Sequence, residues 1–538
     1  MQTARAGVSA AIVLTVASGL GVHRLVPGDV GGYLGDALYA VLIYLLLLFA
    51  RPAAAAPRLW AAATAVCWLI EAAQLTGWPA ELSEKSVLAR LVLGSGFNAG
   101  DLAAYAAGAA AAAALHTLAA RRRADGDEQL ERIAAKVAAA AEVPGNLDIF
   151  GAGRHRFELN PPLPEETVAA FERAHGVRLP EDYRRFVTGL ADGGAGPGYG
   201  LLPLADAYDA DTGPLAAPSP FAPGVTYTGD WWDGHIDEDL GRDPRQGTLA
   251  IVHHGCTSYT LLVVSGPARG RLVSVDHNGD PAPYVLEDTG FLAWYERWLD
   301  ELAAGHDVTR ITDKIPGGEA ELLAIAAADP DPARRARAVW SLCPLPELSP
   351  AGRRALAGLA ADPVAPVRAA ALRTVRRFRA AEAGPAARTA LGDDDPAVRA
   401  AAVSALRDLQ IPDLAAVART MLGDPDQDVV IRAVWALLDS GELTVADLAP
   451  LTSSPDPGIR ATGLHYLRDA TGDGADALLA AALGDGEARS RWTAVQGIEH
   501  RELRHLHPLL EALLETETDP TVLTNLRRAV PKLSPHSP

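Results

Sequence analysis

The last two hundred residues repeat themselves. DPARRARAVWSL (331–342), DPVAPVRAAAL (362–372), DDDPAVRAAAV (393–403), DQDVVIRAVWAL (426–437), PDPGIRATGL (455–464) and DGEARSRWTAV (485–495) share one pattern. An acid-rich start is followed by an arginine and a run of small apolar residues. Arg337, Arg368, Arg399, Arg432, Arg460 and Arg491 stand 31, 31, 33, 28 and 31 residues apart. Asp331, Asp362, Asp393, Asp426 and Asp485 each precede their arginine by six, and Ser454 takes that place in the fifth unit. A frayed seventh unit follows at TDPTVLTNLRRAV (518–530). Such a period excludes a single globular core for this part of the chain. One unit is a helix pair that cannot bury its own apolar face, and stacking the units makes the core continuous. Asp caps a helix start and Pro fits the first turn.

This run resembles HEAT repeats. The resemblance implies that the Asp and Arg residues form a structural ladder between neighbouring repeats, and that the repeats offer a concave protein-binding surface. A lyase-type activity of the kind some repeat relatives carry has no dedicated residues here. Residues 319–538 are therefore expected to be an all-α solenoid, and 306–318 a linker leading into it.

The other end is apolar. Four runs, about 8–26, 33–50, 59–76 and 98–120, approach the ~20 residues that cross a bilayer. A signal peptide accounts for the first run only, so residues 1–124 are expected to form a membrane bundle of four spans. Arg5, Arg51, Arg58 and Arg121–Arg123 then fall on one side, and Arg24, Lys85 and Arg90 on the other. The excess of basic residues places both termini, and everything after residue 124, in the cytoplasm. Asp36, Glu71, Gln74, Asn98 and Asp101 would share the outer level, with Arg90 as counter-charge, and polar groups in a span point to a partner or to water. GDALYA (35–40), IEAAQL (70–75) and LVLGSGFNAGDLAAYAAG (91–108) resemble domain of unknown function 2809, a relative of the VanZ-like proteins. The resemblance implies a membrane module with its polar residues at Asp36, Glu71, Gln74, Arg90, Asp101 and Tyr105. It implies no reaction, and the VanZ-like link points to envelope or glycopeptide-resistance biology.

Between these ends, the chain is acidic. Residues 1–124 carry a formal charge of +3, 125–305 carry −16 and 306–538 carry −6. A middle of this sign repels nucleic acid and anionic lipid and attracts a basic partner. RRRADGD (121–127) reads as a polar junction, followed by a helix over 128–142. Pro164-Glu165-Glu166 and Pro180-Glu181-Asp182 mark two helix starts, closed by Gly176 and by Gly193-Gly194. GTLAIVHH (247–254), SYTLLVVSG (258–266) and GRLVSVDH (270–277) read as a three-stranded antiparallel meander. Phe291, Trp294, Tyr295, Trp298 and Leu302 fall on one face of a closing helix.

RLPEDYRRFVTGLADGG (178–194), the meander and FLAWYERWLDEL (291–302) together resemble the SMI1/KNR4 family of the SUKH superfamily. Ala191-Asp192 departs from that family's pattern, which has Asn before the glycine pair. The resemblance implies an α+β binding domain over 125–305, without catalysis. In bacteria many such domains are immunity proteins against polymorphic toxins, often nucleases.

HHGCTSY (253–259) offers His254 and Cys256 on one strand face, with His277 on the next hairpin arm. No fourth ligand can be named, and no orienting acid or oxyanion hole marks a Cys–His nucleophile. No metal, cofactor or catalytic residue is expected. GDWWDGHIDEDLGRDP (229–244) is the better candidate. Trp231 and Trp232 sit among Asp230, Asp233, Asp237, Glu238 and Asp239. Trp is enriched at binding hot spots, and acids steer a cationic partner.

The expected whole has three parts: a helical membrane bundle, an α+β SUKH-like domain and an all-α HEAT-like solenoid. Its expected role is that of a membrane-tethered, non-catalytic immunity or scaffold protein holding a basic toxin, nuclease or other partner. The alternative is a membrane sensor or envelope-stress protein working through its outer polar cluster.

Overall fold

A computed structural model of the chain describes residues 2–76, 97–236, 243–278, 281–310 and 313–534. Lys85, Arg90, Asp237, Glu238 and Asp239 lie outside these residues. The protein is mostly helical with one small antiparallel sheet, and divides into two compact units, Met1–Arg132 and Ile133–Pro538.

The first unit is built from α1 (Gln2–Leu25), α2 (Asp29–Ala50), α3 (Ala56–Gln74) and the start of α4 (Ala99–Ala141). Among the described residues three helices, not four, are long and apolar enough to cross a membrane: Gly7–Leu25, Asp29–Ala50 and Ala99–Ala141. The third expected run does form a helix, but α3 is Ala-rich and carries Arg58, Glu71 and Gln74 within its 19 residues. Its buried face, Leu59, Ala63 and Cys67, packs with Ala40, Tyr44, Tyr105 and Ala109. Trp60 and Trp68 donate their indole N–H groups to the carbonyls of Ala106 and Leu102 on α4 (3.3 and 3.0 Å).

The polar junction expected at 121–127 is not a break. α4 runs through it to Ala141, because Arg, Ala, Glu and Lys are strong helix formers and one glycine is tolerated.

In the second unit α5 (Glu165–His175) and α6 (Glu181–Gly189) begin after Pro164 and Pro180, and α5 ends on Gly176 at φ 65°, as the sequence predicts. Arg184 ties them together through Glu165 and Glu172. The sheet has the order β1 (Thr248–Gly255), β2 (Ser258–Val263), β3 (Leu272–Asp276) and β4 (Tyr284–Val285), all antiparallel. The last strand is only two residues long and has no periodicity to read. The edge of β1 is covered: Tyr199 and Leu202 donate backbone N–H groups to His253 and Ile251, which blunts it against pairing with another chain. α7 (Phe291–Ala303) buries the expected face, and Tyr295 donates its hydroxyl proton to the carbonyl of Ala195 at 2.7 Å.

The expected linker is tied down. Lys314, 4 % exposed, pairs with Glu301 at 2.6 Å, and Ile315 N–H donates to Ser341 Oγ at 2.8 Å. From Glu319 the chain winds through helix pairs to Leu533. Their buried residues form two continuous apolar clusters.

The ladder residues keep the expected register except in the first and fourth repeats, where they lie two positions earlier. In every repeat the ladder residue sits two positions before the helix cap and accepts the cap residue's N–H: Asp329, Asp362, Asp393, Asp424, Ser454, Asp485 and Glu517 serve Asp331, Val364, Asp395, Asp426, Asp456, Glu487 and Asp519. The arginine six residues after a ladder residue reaches forward to the next one. Arg335 pairs with Asp362, Arg368 with Asp393 (2.7 Å), Arg399 with Asp424 (2.7 Å), Arg460 with Asp485 (3.1 Å) and Arg491 with Glu517 (2.7 Å). Asp331, Arg337, Asp426 and Arg432 are therefore not rungs, because they lie two positions late. In the fourth repeat the rung position holds Val430, fully buried, and its missing partner in the fifth is Ser454. Losing both sides of a rung together leaves no buried charge unpaired.

Candidate functional site

The sheet's outer corner carries a row of rings. The β1–β2 register slips between Ala250 and Val252 and again between His253 and Gly255. Each bulge turns the following side chains over. As a result His253 stands opposite Tyr259, which stands beside His277. The three rings stack with centroids 4.6 Å apart at both steps and planes within 14° and 13° of parallel. His254 turns away from this row. Its Nε2 lies 2.7 Å from Thr260 Oγ1, and burial pushes its pKa down to about 3. Cys256 is exposed in the hairpin turn at φ 47°, and its carbonyl lies 3.2 Å from His253 Nε2. The trio His254, Cys256 and His277 is thus not brought together. No group of three His, Cys, Asp or Glu side chains is placed to hold a metal ion among the described residues.

The Trp segment is fastened at both ends over His277. Thr228 caps a helical turn, Gly229–Asp233, by accepting from Trp231 N–H. Two adjacent residues on such a turn meet different surroundings, and the two tryptophans separate accordingly. Trp232 is 1 % exposed, packs against Leu261, Val263, Val273 and Phe221, and donates Nε1–H to the carbonyl of His277 at 3.2 Å. It is core, which corrects its assignment as a contact residue. Trp231 is half-buried and lies against Phe221, Tyr227 and His235, with ring centroids 5.6, 4.5 and 4.0 Å away. Asp230, Asp233 and His235 beside it are exposed. At the far end Asp243 holds Arg245 in a bidentate pair, and Arg245 Nη1 donates to His277 Nε2 at 3.2 Å. Burial and the Arg245 charge keep the His277 pKa below its ordinary value. A cavity of about 420 Å³ opens beside the ring row, lined by Asp206, Asp209, Arg245, His253, Tyr259 and His277. Sequence reading missed this row. Its signal was the six-residue spacing of His253 and Tyr259 around a two-residue turn.

A second cluster lies in the first unit. Glu71, 1 % exposed, accepts from Asn98 N–H (2.7 Å) and from the Tyr105 hydroxyl (3.4 Å), and the same hydroxyl lies 3.2 Å from Asp36 Oδ1. That hydroxyl carries one proton and donates to one carboxyl at a time. Asn98 Nδ2 donates to Asp101 at 2.8 Å. Asp36, Glu71, Asp101 and Tyr105 are thereby brought together. Gln74 is half-buried on the turn after Glu71.

Fold and sites together define a helical-repeat protein with an apolar helical N-terminal part. Residues 25–109 match a family described as protein of unknown function (DUF2809). Residues 319–407, 352–438 and 387–468 match HEAT repeats. No curated protein matches the chain. Among solved structures, the YibA protein of Escherichia coli is 16% identical, covers 46% of this chain and 89% of its own, and has a TM-score of 0.32. An archaeal HEAT-like repeats protein from Thermococcus onnurineus NA1 is 15% identical, covers 40% and 97%, and scores 0.28. The complex of CpcE and CpcF of phycocyanin lyase from Nostoc sp. PCC7120 is 17% identical, covers 40% and 95%, and scores 0.26.

Proposed function

We propose that this chain is a membrane-held, non-catalytic protein-interaction protein of the SUKH immunity or scaffold type. Its N-terminal helices anchor it in the cell membrane, and residues 133–538 work in the cytoplasm. The α+β domain, bounded near 125–305, holds a basic partner such as a nuclease toxin, and the repeats over 319–538 present it or extend its interface. The observation that carries this reading is Trp231. Its ring is propped on Phe221, Tyr227 and His235, with Asp230 and Asp233 exposed at its side. A half-buried aromatic with exposed carboxylates at its side is what a desolvated hot spot for a cationic partner requires. Nucleic acid fits poorly, because a chain of net charge −19 repels it.

The test is capture of basic proteins by the full chain in detergent, from host and competitor lysates, at two salt concentrations. One salt-sensitive basic partner, lost with Trp231→Ala and kept with Arg528→Met, supports the reading. Equal capture by both variants overturns it.

The cluster at Glu71 favours a second reading, a membrane sensor whose soluble parts are its output. Two carboxyls, Asp36 and Glu71, sharing one tyrosine hydroxyl in an apolar bundle are costly unless used. Loss of envelope-stress tolerance in Glu71→Gln cells, with partner capture intact, would favour it.

A further inference from the structure

The stretch RTVRRFR (373–379) places four arginines on and after one helix of an otherwise acidic chain. The helix is Ala365–Phe378, the second of its repeat. Ladder arginines are spent: Arg368 and Arg399 each make bidentate pairs with the next repeat. Arg377 is spent too, on the carbonyls of Cys343 and Leu345. Arg373 and Arg379 are exposed, with no ion pair among the described residues. Arg376 has a side chain 72 % exposed and its nearest carboxylate, Asp408, is 3.9 Å away. Arg432, freed from the ladder by the register, lies over Trp435 at 4.6 Å.

These groups face one groove. Two adjoining cavities of about 530 and 520 Å³ share Arg376, Arg407 and Asp408. The first is also lined by Trp340, Arg373 and Arg432, and the second by Arg379. Trp340 is 36 % exposed there. Asp428, Asp439 and Glu442 stand in the same walls. Those acids would repel a continuous phosphate backbone, whereas spaced carboxylates on a peptide can meet the arginines and avoid them.

We infer that this groove, across the second helices of repeats one to four, is a docking site for an acidic segment of a partner protein. Its carboxylates pair with Arg373, Arg376, Arg379 and Arg432, and an apolar side chain rests on Trp340. The inference rests on the reading of the repeats as partner-binding, and gives the chain two surfaces of opposite preference: cationic partners at Trp231, anionic ones here.

The experiment is fluorescence anisotropy of a labelled decaglutamate peptide with the full chain in neutral detergent, alongside labelled oligothymidylate. Saturable, salt-sensitive peptide binding is expected. The combined variant Arg373→Glu, Arg376→Glu, Arg379→Glu should weaken it at least about tenfold, the equivalent of one 1.4 kcal/mol step. Should that variant fail to fold, Arg376→Ala alone is expected to weaken binding measurably and Arg376→Lys to retain most of it. Trp231→Ala should leave peptide binding unchanged, so that failure at one surface is distinguishable from failure at the other. Unchanged binding in the charge-reversed variant overturns the inference, as does oligothymidylate binding at least as tightly through the same arginines.

Discussion

The guanidinium of Arg337 lies 3.8 Å from the ring centroid of Tyr284. That contact joins the first repeat to the last strand of the sheet. It exists because Arg335, two residues earlier, has taken the rung to Asp362. Beside it Arg334 holds Glu287 through two bonds of 2.8 Å, and Tyr284 donates to the same carboxylate. The sheet and the repeats are therefore packed together, and Val308, Lys314 and Ile315 between them are buried.

This junction should couple the two parts energetically. In a double-mutant cycle, Arg334→Met and Glu287→Gln are expected to show a coupling of about 1 kcal/mol, the upper range for a partly exposed bidentate pair. Denaturant unfolding of the full chain, followed at Trp232 and by helix content, measures it.

The register of the ladder makes a contrast between two arginines. Arg399 is 14 % exposed and bonded to Asp424, which is 6 % exposed. Arg399→Met should cost roughly 2–4 kcal/mol by leaving that carboxylate unpaired. Arg432→Met should cost under about 1 kcal/mol, the worth of one partly exposed cation–π contact. Thermal unfolding of the two variants decides between this register and the one that makes Arg432 a rung.

The two tryptophans should behave oppositely. Trp232→Ala empties a core site and should cost about 3–5 kcal/mol. Trp231→Ala should leave the fold standing and remove partner binding, read by comparing melting temperature with capture.

Acid should weaken the sheet domain before its carboxylates titrate. His254 is neutral when folded, with a pKa of about 3 against 6.5 for a free imidazole. Below pH 6.5 the unfolded chain takes up a proton that the folded chain refuses. Stability therefore falls as pH drops from 6.5 towards 3, at up to about 1.4 kcal/mol per pH unit for this group. His254→Gln should flatten that slope. Glu517, held down to about 2 chiefly by its hydrogen bond from Arg491, adds a loss lower down, between its ordinary 4.5 and about 2.

In the first unit Tyr105→Phe removes the hydroxyl shared by Asp36 and Glu71. The expected cost is about 1–3 kcal/mol, that of an unsatisfied buried acceptor. A lower melting temperature in detergent, restored by no change in salt, would be the sign.

Spacing made the repeats legible, because a thirty-residue period has few structural solutions. It misplaced two rungs because Asp331 and Asp426 stand six residues before an arginine by coincidence. Both are helix caps. The true acids, Asp329 and Asp424, were marked only by standing two places before a cap. Alternation along β1 failed at His254, since a bulge inserts a residue without any local signature. The fate of Trp231 and Trp232 was unreadable for a related reason: which neighbour faces inward depends on how a short turn lands on the sheet. The apolar character of α3 was overestimated because Pro57, Arg58, Glu71 and Gln74 offset its apolar residues within 19 positions.

The account turns on the surface at Trp231. Its most direct test is hydrogen–deuterium exchange of the full chain in detergent, with and without the captured basic partner. The account predicts new protection across 226–236 and in the hairpin carrying His253 and Tyr259, with the junction around Arg334 unchanged. Protection confined to the repeats or to the N-terminal helices, with 226–236 exchanging as before, would contradict it.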